Sequence, residues 1–169
     1  MSGKIIISLC SIALLITSSS VMAASTVVST YSVSPSDFLC GDPLNTSYTI
    51  YGNYIFVTEG TTFIAPIHLP SGATITGITF YWNDQSDQDA NLTLLIDDFT
   101  SVPIELDTVF SLDNQNLNTS STITTSWVVD NDQYAYYLQL YIPYNVRVYG
   151  AQIVYEVSFY TSFLSLVKK

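Results

Sequence analysis

The chain is poor in the residues that most chemistry needs. It holds one histidine, two cysteines and four basic residues among 169, against fourteen acids. His68 is therefore the one imidazole that could serve as general base in a Ser-His-Asp arrangement, and no G-x-S-x-G elbow accompanies it. Nothing in the spacing of Cys40 and His68 marks them as a catalytic pair. One His and one Cys beyond the first 23 residues are too few nitrogen and sulfur ligands for zinc. A net charge of −10 argues against nucleic acid and against anionic membrane surfaces, both of which require basic patches. The same charge favours solubility and by itself identifies no partner.

Long hydrophobic runs are scarce as well, with one exception at the start. Lys4, the run Ile5–Ile16 and the small residues at Val21 and Ala23 have the layout of a signal peptide over 1–23. Cleavage after Ala23 and a secreted or periplasmic destination are expected. The run falls short of the roughly twenty residues that cross a bilayer, and no membrane span is expected elsewhere. Cys10 follows Leu9 inside the run, which is the wrong place for a lipid-bearing cysteine. Cys40 is then the one cysteine of the processed chain, either buried and inert or paired between chains.

What remains reads as strand. Thr, Val, Ile, Tyr and Phe are abundant, residues that suit a pleated, half-buried surface. Apolar and polar residues alternate at Ile78-Phe80-Trp82, Leu92-Leu94-Ile96, Tyr136-Leu138-Leu140 and Tyr149-Ala151-Ile153-Tyr155-Val157. Residues 48–57 and 62–68 read as two further strands, 105–110 as a short one, and 113–120 as a loop. Ile75 is out of phase with Ile78, and the intervening Gly77 predicts a β-bulge. Residues 24–35 read as an edge strand or a loose arm, with the option of donating a strand to a neighbouring sheet. Many short strands between turns predict an all-β, antiparallel, jelly-roll-like sandwich of about eight strands over 24–157. The tail 158–169 carries Phe159, Phe163 and Leu166 at helical spacing, which suits an amphipathic cap.

Two stretches carry a resemblance. One is Ala65-Pro66-Ile67-His68-Leu69-Pro70-Ser71-Gly72-Ala73-Thr74-Ile75-Thr76 with the aromatic strand and acidic turn after it. The other is Val129-Asp130-Asn131 with Tyr134-Ala135-Tyr136-Tyr137-Leu138, closed by Gly150-Ala151-Gln152-Ile153-Val154-Tyr155. Together they resemble a loose group of secreted bacterial β-sandwich proteins with the pattern aPvhLPdGAtIt, VDN…YaYyL and ItY. The resemblance implies a jelly-roll-like sandwich and a Gram-negative secreted or periplasmic protein. The group has no general activity to carry over. Ser71 replaces an acid of the pattern at a surface turn.

Three kinds of site follow. Tyrosines on the solvent phases of strands, Tyr51, Tyr54, Tyr81, Tyr137, Tyr141 and Tyr144, are candidates for stacking on sugar rings, although aromatics also fill cores and cross-strand pairs. The acids Asp84, Asp87 and Asp89, with Asp130 and Asp132 brought near, offer oxygen ligands for calcium, or simply face water. A pair of carboxylates among these and Asp97 and Asp98 would suit glycoside hydrolysis. The reading that fits best is a non-enzymatic, exported protein that binds a glycan, or a host or neighbouring-cell surface protein, with adhesion or virulence as its setting. A strand-exchanging subunit of an extracellular assembly comes second and a hydrolase third.

Overall fold

The computed structural model describes residues 22–42, 47–112, 114–122 and 126–162. Twelve strands run through them: β1 (Met22–Val33), β2 (Leu39–Cys40), β3 (Tyr48–Tyr51), β4 (Tyr54–Val57), β5 (Thr61–Ile67), β6 (Thr74–Asp84), β7 (Asn91–Asp97), β8 (Ile104–Phe110), β9 (Asn114–Thr122), β10 (Trp127–Val128), β11 (Ala135–Ile142) and β12 (Val146–Ser162). A single 3-10 turn, Pro35–Asp37, follows β1. The strands form two antiparallel sheets, a sandwich as expected. The larger has the order β10-β6-β12-β4-β3, with β1 also on β12 and β9 also on β6. The smaller has the order β2-β5-β11-β7-β8. None of the described residues forms a helix long and apolar enough to cross a membrane.

The period-2 alternation sets the core. Ile78, Phe80 and Trp82 of β6 and Val146, Val148, Ala151 and Ile153 of β12 point inward from the large sheet. Phe63, Ala65 and Ile67 of β5, Leu92, Leu94 and Ile96 of β7, and Tyr136, Leu138, Leu140 and Ile142 of β11 meet them from the small one. Tyr48 crosses between the layers and meets Phe63 edge-on, ring centres 5.3 Å apart. The buried indole of Trp82 donates its N–H to Ser120 Oγ at 2.9 Å. This bond helps to hold β9 on β6.

Several strands depart from the expected boundaries. Residues 48–57 form a hairpin, β3 and β4, because Gly52-Asn53 make a two-residue turn between Tyr51 and Tyr54. Of the loop expected over 113–120, residues 114–120 belong to strand β9, which runs on to Thr122, since pairing with β6 overrides the low strand preference of Asn and Ser. Residues 24–33 are an edge strand of their own domain, paired along β12. Ser158–Ser162 continue β12 opposite Met22–Thr26, so the helical stripe is not followed there; Phe163 and Leu166 lie outside the described residues.

Two bulges organise the large sheet. The one predicted at Gly77 is present, with Thr76 as the extra residue between Ile75 and Gly77, which pair with the consecutive Tyr155 and Val154. The second was not anticipated. Val148 and Gly150 pair with the consecutive Trp82 and Tyr81, leaving Tyr149 as the extra residue. Tyr149 therefore leaves the core face to which simple alternation assigned it, and Val146 and Val148 lie inside instead. Gly150 has φ +124°, and a Cβ there would collide with the backbone carbonyl of Val33.

These contacts predict two glycine variants of unequal cost. Gly72 has φ +80° with open space around it, so Gly72→Ala should cost about 1 kcal/mol of conformational strain. Gly150→Ala adds a backbone collision and should cost well over twice as much, roughly 3 kcal/mol. Urea unfolding of the two variants beside the parent measures both; equal losses would contradict the tight seat of Gly150.

Candidate functional site

The outer face of the large sheet gathers tyrosines into a row. Tyr51 of β3 lies opposite Tyr54 of β4, their rings stacked 4.6 Å apart at 29°. The next lane is β12, where Ile55 pairs with Val148 and the bulged Tyr149 stands beside Tyr54, ring centres 5.8 Å apart. Beyond it, Tyr81 of β6 lies opposite Gly150. Four tyrosines thus cross four neighbouring strands over about 14 Å, three strand spacings. Arg147, one step along β12, lays its guanidinium over the Tyr54 ring at 5.4 Å.

A recess opens inside this row, and the topology explains it. β1 and β4 pair with the same edge of β12, end to end, β4 at Arg147–Val148 and β1 from Ala151 onward. The bulge falls in the gap between them. The result is a cavity of about 330 Å³ between Tyr81 and Tyr149, with Asn53 of the hairpin turn at one side and Ser32, Ser34 and Gln152 at the other. The polar groups are already aligned: Tyr81 Oη donates to Gln152 Oε1 at 2.9 Å, and Gln152 Nε2 donates to Ser32 Oγ at 3.4 Å. Rings to stack on and amides and hydroxyls at their edge make an amphipathic surface that suits a ligand with both apolar faces and hydroxyls.

Three of the six predicted tyrosines meet here, Tyr51, Tyr54 and Tyr81. The other three lie elsewhere. Tyr137 and Tyr141 are on β11 in the small sheet, facing outward. Burial and then the Asp97 charge push the Tyr137 phenol above its ordinary value. Tyr141 lies against Gly60, where a Cβ would stand 2.6 Å from its hydroxyl. Tyr144 is exposed in the β11–β12 turn. Tyr149, Asn53, Gln152 and Arg147 escaped sequence reasoning. A glycine inside a strand is the signal for a bulge, and Gly150 carried it as plainly as Gly77 did.

The five candidate calcium ligands do not form one group. Asp84 ends β6 and Asp130 follows β10, which pairs with the start of β6; ten residue steps, roughly 33 Å of strand, separate them. Asp84 is buried, accepts a short hydrogen bond from Ser111 Oγ, and accepts the Ser86 N–H at 2.9 Å. Ser111 Oγ also takes the Ala90 N–H at 2.7 Å. Asp84 thus organises the loop to β7, while Asp87 and Asp89 face solvent. Asp130 accepts the Asp132 N–H at 3.0 Å, and its own N–H goes to Tyr136 Oη at 2.8 Å. No group of three or more His, Cys, Asp or Glu among the described residues is placed to hold a metal ion.

His68 and Cys40 do not meet. Cys40 is opposite Phe63, five residues before His68 on the β5 path, about 17 Å away along an extended chain. His68 lines a separate recess of about 320 Å³ at the other end of the sandwich, with Phe99, Asn131 and Tyr134. Phe99 is 77% exposed at φ +62°, held by Asp97 Oδ1, which accepts its N–H at 2.7 Å. The adjoining Asp98 accepts the Thr100 and Ser101 N–H groups and the Ser101 hydroxyl.

No protein-family model matches the chain, and no curated protein matches it. Solved structures do. The C-terminal CBM6 of LamC, a marine laminarinase from Zobellia galactanivorans, superposes with a TM-score of 0.52 at 14% identity, over 74% of this chain and 98% of that one. The carbohydrate-binding module CBM6cm-2 from Cellvibrio mixtus lichenase 5A, in complex with cellotriose, gives 0.47 at 12% identity over 73% and 95%. The first of these places the chain in the same β-sandwich fold.

Two outcomes follow from the loop chemistry. Ser111→Ala removes the partner of the buried Asp84 carboxylate and of the Ala90 N–H, and should cost about 1–3 kcal/mol in thermal or urea unfolding. The bonds to Asp98, foremost that from the Thr100 N–H and then that from the Ser101 side chain, hold its carboxyl below the ordinary 3.8. Its contribution is complete above that ordinary value and disappears as pH falls through the depressed one. Amide signals of Thr100 and Ser101 should therefore stay constant down to about pH 4 and shift only below it, and Asp98→Asn should abolish the shift.

Proposed function

We propose that this is an exported, non-catalytic carbohydrate-binding protein that takes a glycan chain along the row Tyr51–Tyr54–Tyr149–Tyr81. The observation that carries the reading is the row itself, with a recess between Tyr149 and Tyr81 edged by Asn53, Gln152 and Ser32. Sugar rings present apolar C–H faces to aromatic rings and hydroxyls to amides, and this surface supplies both. Its length of about 14 Å across four strands suits an oligomer rather than a single sugar. The sandwich fold shared with a carbohydrate-binding module and the leader-like N-terminus support the same reading.

Catalysis has less support. His68 lies beside Asn131 and Tyr134, away from Cys40, and the row holds no carboxylate pair for glycoside hydrolysis. The recess at His68 and Phe99 is the second place a ligand would fit, and the same experiment distinguishes it.

Calorimetric titration with a panel of neutral and acidic oligosaccharides tests the proposal. One class should bind, and Tyr54→Ala and Tyr149→Ala should each weaken it about tenfold, the loss of one stacked ring at roughly 1.4 kcal/mol. Tyr137→Ala on the small sheet and Phe99→Ala at the far recess should leave affinity unchanged. Loss with Phe99→Ala and none with the row variants would move the site to the His68 recess. No binding by any oligosaccharide would overturn the carbohydrate reading.

A further inference from the structure

We infer that the free edge of β1 is a self-association surface, on which a second copy of this chain adds its own β1 antiparallel to form a sheet continuous across two molecules. The first observation is a vacant lane. β4 and β1 lie end to end on β12, but only β4 has an outer neighbour, β3. The lane that β3 fills beside β4 is empty beside β1, where among the described residues no strand pairs with the outer edge. Ten residues of β1, Ala24–Val33, lie beyond the expected cleavage point, and their outward backbone N–H and C=O groups form a template for another strand.

The second observation is chemical. Exposed edges are ordinarily blunted by charge, by proline or by a bulge. β1 has none of these. Its pairing with β12 runs without a register shift from Met22↔Ser162 to Val33↔Ala151. Residues 22–34 contain no charged residue and no proline, although the chain carries fourteen acids, of which Asp37 is the first. Two such acidic molecules repel over most of their surfaces, and β1, the longest of the edge strands and unlike β8 free of carboxylates, is an edge at which they can approach; the other long uncharged edge, β9, is shorter and its pairing with β6 carries a register shift.

The third observation is exposure on both faces. β6 pairs with β12 only as far as Glu156, so in the processed chain Ala24–Val27 and the facing Val157–Tyr160 continue as a two-stranded ribbon beyond the body of the sheet. Val27 and Val28, which point to opposite faces, are 47% and 62% exposed, and Phe159 is also exposed. A two-stranded ribbon is marginal in water, and a third and fourth strand from a two-fold partner would support it. A two-fold axis near Val27–Val28 brings the longest part of both edges together and sets the two Val28 side chains near each other.

Sedimentation velocity of the purified protein over a hundredfold concentration range tests the inference, with hydrogen exchange at both ends of that range. The expected result is a monomer–dimer equilibrium in which dimer formation slows exchange of amides in 24–33 and leaves the other edge strands β3, β8 and β9 unchanged. Val28→Asp, at an exposed position, should weaken the dimer at least tenfold by placing two carboxylates near the axis. Monomer at every concentration would overturn the inference. So would a dimer whose protection appears at β3, β8 or β9, or one that Val28→Asp leaves intact; the exchange data on the parent protein decide the matter even where the variant does not fold.

Discussion

The large sheet depends on the contact between Gly150 and the carbonyl of Val33. At that point β12 takes one extra residue, β1 ends against it, and β4 begins on the same edge. No side chain larger than hydrogen fits between the two backbones. The bulge turns Tyr149 outward, gives Tyr81 a neighbour without a side chain, and leaves the gap that becomes the recess. Without it, Tyr149 would face the core, where Val148 and Ala151 now pack, and the row of rings would be broken in its middle lane. A packing constraint in the backbone thus sets the geometry of the outer surface.

The two outer faces use tyrosine differently. On the small sheet, Tyr141 rests on Gly60 and Tyr137 lies half-buried near Asp97. Those rings cover neighbouring backbone and side chains, the ordinary use of aromatics in cross-strand pairs. On the large sheet Tyr51 stacks on Tyr54, Tyr149 stands beside it and Arg147 lies over it, while Tyr81, Gln152 and Ser32 form a hydrogen-bonded rim. The shared sandwich with the laminarinase module fixes the fold alone; the row and the recess are features of this chain's own residues.

Much of the fold was legible in the sequence because one face of each central strand is dry. Ile78-Phe80-Trp82 and Tyr136-Leu138-Leu140 read at period two, and the phase slip at Gly77 gave its bulge. What was not legible follows from weaker local signals. The hairpin at Gly52-Asn53 was hidden by aromatic residues continuing on both sides of it. β9 is rich in Asn, Ser and Thr, and only the Trp82–Ser120 bond and the β6 edge make it a strand. Phe159 looked helical at spacing four, yet its long-range pairing with Ser25 decides its conformation. For the site, solvent phase identified Tyr51, Tyr54 and Tyr81 but not which of six tyrosines share a surface. The acids illustrate the converse: Asp84 and Asp130 are both loop-like in sequence, and the length of β6 keeps them at opposite ends.

The central claim is that four tyrosines on four strands act as one ligand surface. Selectively labelled tyrosine rings, followed by NMR while a binding oligosaccharide is titrated in, measure this directly. The signals of Tyr51, Tyr54, Tyr149 and Tyr81 should move together and fit one dissociation constant, with Tyr137, Tyr141 and Tyr144 unmoved. Shifts confined to Tyr137 and Tyr141, to Tyr134 at the far recess, or to a single ring of the row would contradict it.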